Sequence, residues 1–295
     1  MERRPAGGPP DAGDATLAID AHLHLWRYRA DELDWISDRM RVLQRDFLAD
    51  DIARELAACG VRGCVAVQAR SSLAENDFLL AQQAASRAIL GVVGWVDLQA
   101  PDAGAVLERY AGKLVGVRHI VQAEPDDDFV LRPAFQRGVA LLPSLGMTYD
   151  LLIYPRHLPA ACVFADRNPD LRLVLDHLAK PPIAAGELEP WATDLRALAR
   201  RPQVFVKASG LVTEADWARW TPDQLRQYLD VTFDAFGPER ILFGSDFPVC
   251  RVAATYAQVK RVLDDYCAQL SGAERARVLA DNAIAFYRLP VSPVA

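Results

Sequence analysis

From residue 17 onward, short apolar runs alternate with longer stretches in which apolar positions recur at helical spacing. The short runs are rich in Val, Ile and Leu and predict strands over 17–22, 64–68, 91–96, 114–121, 148–153, 172–177, 203–208 and 241–245. The longer stretches predict helices over 51–58, 74–88, 133–142, 187–200, 222–236, 253–269 and 272–287, the last as one or two pieces. Boundary residues agree with this division. Asp50 or Asp51 can cap the helix that Gly60 ends, and Thr221 before Pro222 has the form of an N-cap followed by proline at the first helical position.

Strands that are apolar throughout, rather than alternating, are buried on both faces, as in a parallel sheet covered by helices. Eight such strand–helix units in 295 residues suit one (β/α)8 barrel with extra C-terminal helices. An open dinucleotide-binding sheet shares the pattern, but it needs Gly-x-Gly-x-x-Gly after the first strand, where His22-Leu23-His24 stands instead. No repeat or linker divides the chain, so residues 17–295 read as one catalytic domain. Residues 1–16, rich in Pro, Gly and Asp, read as a frayed tail, neither signal peptide nor membrane anchor.

Composition narrows the field. Basic residues number 33 and acidic ones 39, so no basic surface is expected to hold nucleic acid. No apolar stretch reaches the roughly 20 residues that cross a bilayer. The five cysteines include no Cys-x-x-Cys pair, which argues against a disulfide framework or a zinc ribbon and for a reducing, cytoplasmic setting. The acidic run Glu124–Asp128 lacks the ligand alternation of a calcium loop and reads as a solvated turn.

Polar residues gather where the predicted strands end. In chain order these are His22 and His24; Gln68 and Arg70; Trp95 and Asp97; Arg118 and His119; Tyr149 and Asp150; Asp176 and His177; Lys207 and Ser209; and Asp246. Active sites of (β/α)8 barrels form at that end. Four of the five histidines fall there, and His157, after Pro155, reads as a surface or capping residue. Side chains at i and i+2 of a strand project together, about 7 Å apart along it, so His22 and His24 can share one metal ion or one substrate oxygen. Trp26 and Trp95 are core or rim residues by default, with a sugar-ring platform as the functional alternative. Nothing in the chain forms a Gly-x-Ser-x-Gly elbow or a phosphate loop, and the fourth and seventh strands lack the carboxylate pair of a retaining glycosidase.

At these residues the chain resembles the amidohydrolase superfamily, in particular its amidohydrolase-2 branch and the fucono- and rhamnono-lactonases within it. The resemblance runs from Ile19 to Leu289. It is carried by Asp20–Trp26, Gly116–His119, Leu175–Pro181, Lys207–Leu211, Phe243–Pro248 and Asp281–Tyr287. It implies a barrel hydrolase that opens a small-molecule sugar lactone to its aldonic acid. Asp246 would be general base and acid, with His177 and His119 as further catalytic residues. His22, His24 and Asp246 would be the ligands of a single divalent metal, zinc before others, and metal-independent hydrolysis is the other option. Arg118, Lys207, Gln68, Tyr149, Trp26 and Trp95 would bind substrate. Two departures from the family pattern argue against a two-metal centre: His119 stands where a carboxylated lysine would bridge two ions, and Tyr149-Asp150 replaces a fifth-strand histidine. The alternatives are a metal-dependent non-oxidative decarboxylase of the same superfamily and a catalytically silent sugar-acid binder. The 26–47 segment is long enough to fold over the barrel mouth.

Overall fold

The structure, a computed structural model, describes residues 17–291. The predicted tail at 1–16 and residues 292–295 lie outside it. Eight parallel strands follow one another around a barrel: β1 (Ile19–Leu23), β2 (Gly63–Val67), β3 (Ile89–Gly94), β4 (Gly116–His119), β5 (Thr148–Leu151), β6 (Leu173–Leu175), β7 (Val204–Ala208) and β8 (Ile241–Phe243). The ring closes beyond β8: Asp246 N–H donates to the His22 carbonyl at 2.8 Å, and His24 N–H to the Phe247 carbonyl at 2.7 Å.

Outside the ring run α1 (Ala49–Ala58), α2 (Leu73–Ala85), α3 (Ala103–Tyr110), α4 (Pro133–Val139), α5 (Leu158–Arg167), α6 (Trp191–Ala199), α7 (Leu211–Glu214), α8 (Pro222–Phe236) and α9 (Tyr256–Cys267). Then come α10 (Gly272–Ala276), a π-turn over Arg277–Asp281, and α11 (Asn282–Tyr287). Every predicted strand and helix is present, α4, α6 and α9 being shorter than predicted, while α3, α5 and α7 lie outside the predicted helices. The Thr221–Pro222 start is as expected: the Thr221 hydroxyl accepts the Gln224 N–H at 3.3 Å. His157 proves a cap rather than a surface residue, its buried ring accepting the Tyr154 N–H at 3.1 Å.

Two apolar layers divide the work. Val117, Tyr149, Leu175, Val206 and Phe243 face outward into the helix layer. Val65, Val67, Val93, Val174 and Leu242 face inward and pack against Ile284, Phe286 and Tyr287, so α11 plugs the end of the barrel where the strands begin. That leaves the opposite end, where the strands finish, as the open mouth.

β1 departs from simple alternation. Ile19 and Ala21 belong to the interior cluster, which by a period of two would send His22 outward. The pairing of β1 with β2 shifts register between Asp20 and Leu23, a bulge that turns His22 back toward the barrel axis.

Candidate active site

His22, His24, His177 and Asp246 meet at the floor of the mouth. The Nε2 atoms of His22 and His24 lie 3.2 Å apart. Asp246 Oδ1 lies 3.4 Å from the His24 Nε2 and 3.9 Å from the Nε2 atoms of both His22 and His177. All four side chains are buried. The expected meeting of residues spread over more than two hundred positions is therefore what the fold produces.

Backbone strain holds two of these groups. Asp246 has φ +57°, and His177, Leu178, Ala179 and Lys180 have φ between +54° and +58°, a complete left-handed turn without glycine. Such a conformation costs roughly 1–2 kcal/mol per residue, so the surroundings must impose it. Lys180 N–H closes the turn onto the His177 carbonyl at 2.7 Å, and the Trp191 indole donates to the Leu178 carbonyl at 2.7 Å. The turn aims His177 at Asp246 and carries Lys180 to the cavity wall.

Beneath the floor lies a buried charged network. Arg118 donates to Asp176 Oδ2 at 2.9 Å, and Lys207 lies 2.9 Å from Asp176 Oδ1 and pairs with Asp150. Two cations thus balance two carboxylates, as buried charges require. Lys207 Nζ also reaches His22 Nδ1 at 3.1 Å, and the Tyr287 hydroxyl of α11 donates to Asp150 at 2.7 Å.

The electrostatics follow. Burial pushes the His22 imidazole well below its ordinary value and His177 down to about 4, so both rings are neutral at pH 7. Burial alone would raise Asp246, but His177, the hydrogen bond from His24 and the Lys180 charge outweigh it and hold this carboxyl below its usual range. Asp246 is therefore ionised at neutral pH.

The donor set fits one divalent ion. Ligands about 2.1 Å from a tetrahedral zinc stand about 3.4 Å from each other, close to the spacing of the His22, His24 and Asp246 atoms. His24 Nδ1 faces the Val67 carbonyl at 2.8 Å, a pure acceptor, so that hydrogen stays on Nδ1, and Nε2, on giving up the proton it shares with Asp246, would offer its lone pair to an ion at the centre. Ligating atoms of His22, His177 and Asp246 also lie within 4.8 Å of one another, which makes His177 a potential further ligand.

Above the floor opens a cavity of about 390 Å³. Arg118, His24, His177 and Asp246 reach it from below. Trp35 and Met40, from the 26–47 segment, and Trp217 form apolar walls, so that segment does cover the mouth.

His119, expected to be catalytic, and several expected substrate contacts lie away from the cavity. His119 follows Arg118 on β4 and so points to the other face, where its Nε2 meets Glu124 at 2.7 Å and its ring stacks on Phe129. Tyr149, adjacent to the inward Asp150, is likewise turned outward between Phe135 and Phe164. Trp95 sits behind His119, its indole 3.3 Å from the imidazole Nδ1. Trp26 is buried against Phe47 and donates to the Arg45 carbonyl. Gln68 is buried with its amide donating to the Arg118 carbonyl at 3.2 Å, and Lys207 lies below the floor. Of the six expected substrate-binding residues, Arg118 alone lines the cavity. Period-two alternation within each strand end would have separated Arg118 from His119 and Asp150 from Tyr149.

Lys180 and Glu214 line the cavity without having been singled out as candidates. Lys180 stood in the Leu175–Pro181 segment, but only the left-handed turn brings it round; Glu214 ends α7, a helix too short to leave a periodic signal.

Comparison with known proteins accords with this geometry. The amidohydrolase family model matches residues 19–289. An L-fucono-1,5-lactonase of Burkholderia multivorans is 42% identical over 93% of this chain and 97% of its own length. Another L-fucono-1,5-lactonase, from Burkholderia ambifaria, is 37% identical over 93% of this chain and 96% of its own. A crystal structure of a Burkholderia multivorans amidohydrolase with bound zinc superposes with a TM-score of 0.90 at 42% identity, covering 93% of this chain and all of that one. A 2,6-dihydroxybenzoate decarboxylase from Rhizobium, at 15% identity and a TM-score of 0.66, shares the fold alone.

Proposed function

The chain belongs to the amidohydrolase family, and from that premise we propose that it is a lactonase, a carboxylic ester hydrolase that opens an L-fucono-1,5-lactone-like aldonolactone to the aldonic acid. The observation that carries the reading is an ionised Asp246 facing two neutral imidazoles and the Arg118 guanidinium at the bottom of one cavity.

Lactone hydrolysis needs three things of a site: a base for water, positive charge or hydrogen-bond donors at the carbonyl oxygen, and a proton for the departing ring oxygen. Asp246 takes a proton from water as the oxygen attacks the lactone carbon. Arg118, fixed by Asp176 and the Gln68 carbonyl, places its positive charge at the cavity floor, where the carbonyl oxygen gains negative charge. When the ring C–O bond breaks, Asp246 returns its proton to the leaving alkoxide, and the carboxyl regains the state in which it began. His177, held by the Ser209 hydroxyl at 2.8 Å, orients the carbonyl against Asp246. A divalent ion held by His22, His24 and Asp246 would supply Lewis-acid polarisation of an oxygen at the same place.

Decarboxylation loses ground as an alternative, because the decarboxylase likeness extends to the fold alone. A silent binder has no use for a base that burial disfavours and three neighbours must hold ionised. Five unbridged cysteines accord with a cytoplasmic enzyme, and no helix among the described residues is long and apolar enough to cross a membrane. The test is a pH-indicator screen over aldonolactones, amides, phosphoesters and hydroxybenzoic acids. Acid release from aldonolactones alone is expected; carbon dioxide from a hydroxybenzoate, or no turnover of any lactone, overturns the reading.

A further inference from the structure

Each cation on the cavity wall already answers to an acid of the chain. Arg118 is held by Asp176 at 2.9 Å, and Lys180 lies 3.5 Å from Glu214 Oε1. Against these two cations the lining carries three carboxylates, Asp34, Glu214 and Asp246. A carboxylate on a ligand would find no free positive partner there and would face like charge. A hydroxyl would meet the opposite situation. The Lys180–Glu214 contact is longer than a direct hydrogen bond, so the Glu214 carboxylate keeps acceptor capacity that sugar hydroxyls can fill.

The neighbourhood of Glu214 suits a sugar ring. Trp217 follows three residues later, its indole fixed by donation to the Thr213 carbonyl at 2.9 Å and by the Arg39 guanidinium over its ring at 5.2 Å. An indole held this way offers a flat apolar face to the C–H side of a ring whose hydroxyls turn toward a carboxylate. Lys180 is equally constrained, since it ends the left-handed turn and its ammonium rests over Tyr154 at 5.5 Å.

Building on the lactonase reading, we infer that Glu214, with Lys180 as its counter-charge, selects an uncharged polyhydroxylated lactone over one that bears a carboxylate. Glu214 accepts the hydroxyls of the neutral ring, and by occupying Lys180 it denies that cation to an anionic ring. The Glu214 effect acts on binding; loss of the Lys180 charge also loosens the hold on Asp246, but equally for both lactones, so the ratio between the two substrates reads the selectivity.

The experiment compares the full chain with its Glu214→Gln and Lys180→Met variants on two substrates: a neutral hexonolactone and a hexarolactone, the same skeleton ending in a free carboxylate. Wild type is expected to favour the neutral lactone. Glu214→Gln should lower kcat/KM for it by roughly 10- to 100-fold, the size of a lost hydrogen bond to a charged group, chiefly through KM. The hexarolactone should meanwhile be turned over as well as before or better, because Lys180 is now free. Lys180→Met should act in the opposite direction, harming the anionic lactone more. If Glu214→Gln fails to fold, Lys180→Met alone carries the test. Equal losses on both substrates would reduce the pair to a structural latch and overturn the inference. Wild type inert toward every lactone would instead remove the lactonase reading beneath it.

Discussion

Lys207 Nζ stands 3.1 Å from His22 Nδ1, across 185 positions of sequence, and so ties β7 to the first histidine of β1. The lysine is fully buried and is shared by Asp150, Asp176 and this imidazole. Asp150 in turn accepts from Tyr287 on α11. The helix that plugs one end of the barrel is thereby linked to the histidine–aspartate cluster at the other.

That chain of contacts predicts graded effects. Lys207→Met leaves two buried carboxylates with one cation and is expected to cost about 3–5 kcal/mol, the usual penalty for breaking a buried pair. Tyr287→Phe removes one hydrogen bond from Asp150 and should cost about 1–3 kcal/mol, with activity largely retained. Urea denaturation measures both. A Lys207→Met protein as stable as wild type would mean that the network does not hold the site.

Acid should loosen the metal-free protein through His177. In the unfolded chain this histidine titrates near its ordinary 6.5, but in the fold burial pushes it down to about 4. Between those values the unfolded state binds a proton that the folded state refuses, so stability falls as pH drops through the window, by on the order of 3 kcal/mol. Asp20 and Asp150, which burial raises to about 6, act in the opposite sense. The diagnostic is therefore a difference: with chelator present, His177→Asn should lose less stability than wild type between pH 6.5 and 4. Parallel curves would reject the assignment.

The fold was legible in the sequence because a buried parallel strand is apolar on both faces and each run is bounded by polar residues. His22, His24, His177 and Asp246 were legible because charged and imidazole groups at strand ends have one place to converge. Sequence spacing was less informative about direction. The bulge that turns His22 inward is a pairing event between two strands and leaves no local signature. His119 and Tyr149 look equivalent to Arg118 and Asp150 until alternation is applied strictly from a known inward residue. Lys180 reaches the cavity through a left-handed turn that its own residue types disfavour, so local propensity pointed away from it.

Zinc binding should depend on the histidine pair. His24→Gln removes an Nε2 that the Val67 carbonyl holds in ligating form. The loss of affinity should exceed the ~10–100-fold expected for losing an outer hydrogen-bond partner. Equilibrium dialysis measures it directly, and thermal melting gives a second reading, since a ligand at 100 times its Kd stabilises by about 2.7 kcal/mol. Unchanged zinc affinity in His24→Gln would move the metal site to His22, His177 and Asp246 alone.

Asp246→Asn keeps the shape of the side chain and removes the base. If the carboxyl acts as the base it must be ionised, and because it sits below its ordinary range, wild-type kcat/KM should hold steady through mild acid and fall only where an ordinary carboxyl would already be protonated. The asparagine variant should lose roughly 10²–10⁴ in kcat at every pH, the usual share of general-base catalysis. A residual kcat within tenfold of wild type would transfer the proton to another group.

Gly210 and Gly60 separate backbone strain from displacement of His177. Both have left-handed φ, +67° and +66°, so alanine is strained at either position. At Gly60 a Cβ would meet nothing within 4 Å, whereas at Gly210 it would stand 2.7 Å from His177 Nδ1, the atom bonded to the Ser209 hydroxyl. Gly60→Ala should therefore cost about 1–2 kcal/mol of stability and leave kcat intact. Gly210→Ala should pay the same backbone cost and in addition push the imidazole off its partner. A 1 Å misplacement at a reacting centre can cost about 10²-fold in rate, so kcat should fall far more than stability does. Steady-state rates beside urea midpoints for the two variants decide the matter: equal kcat in both would show that His177 has no positional role in the reaction.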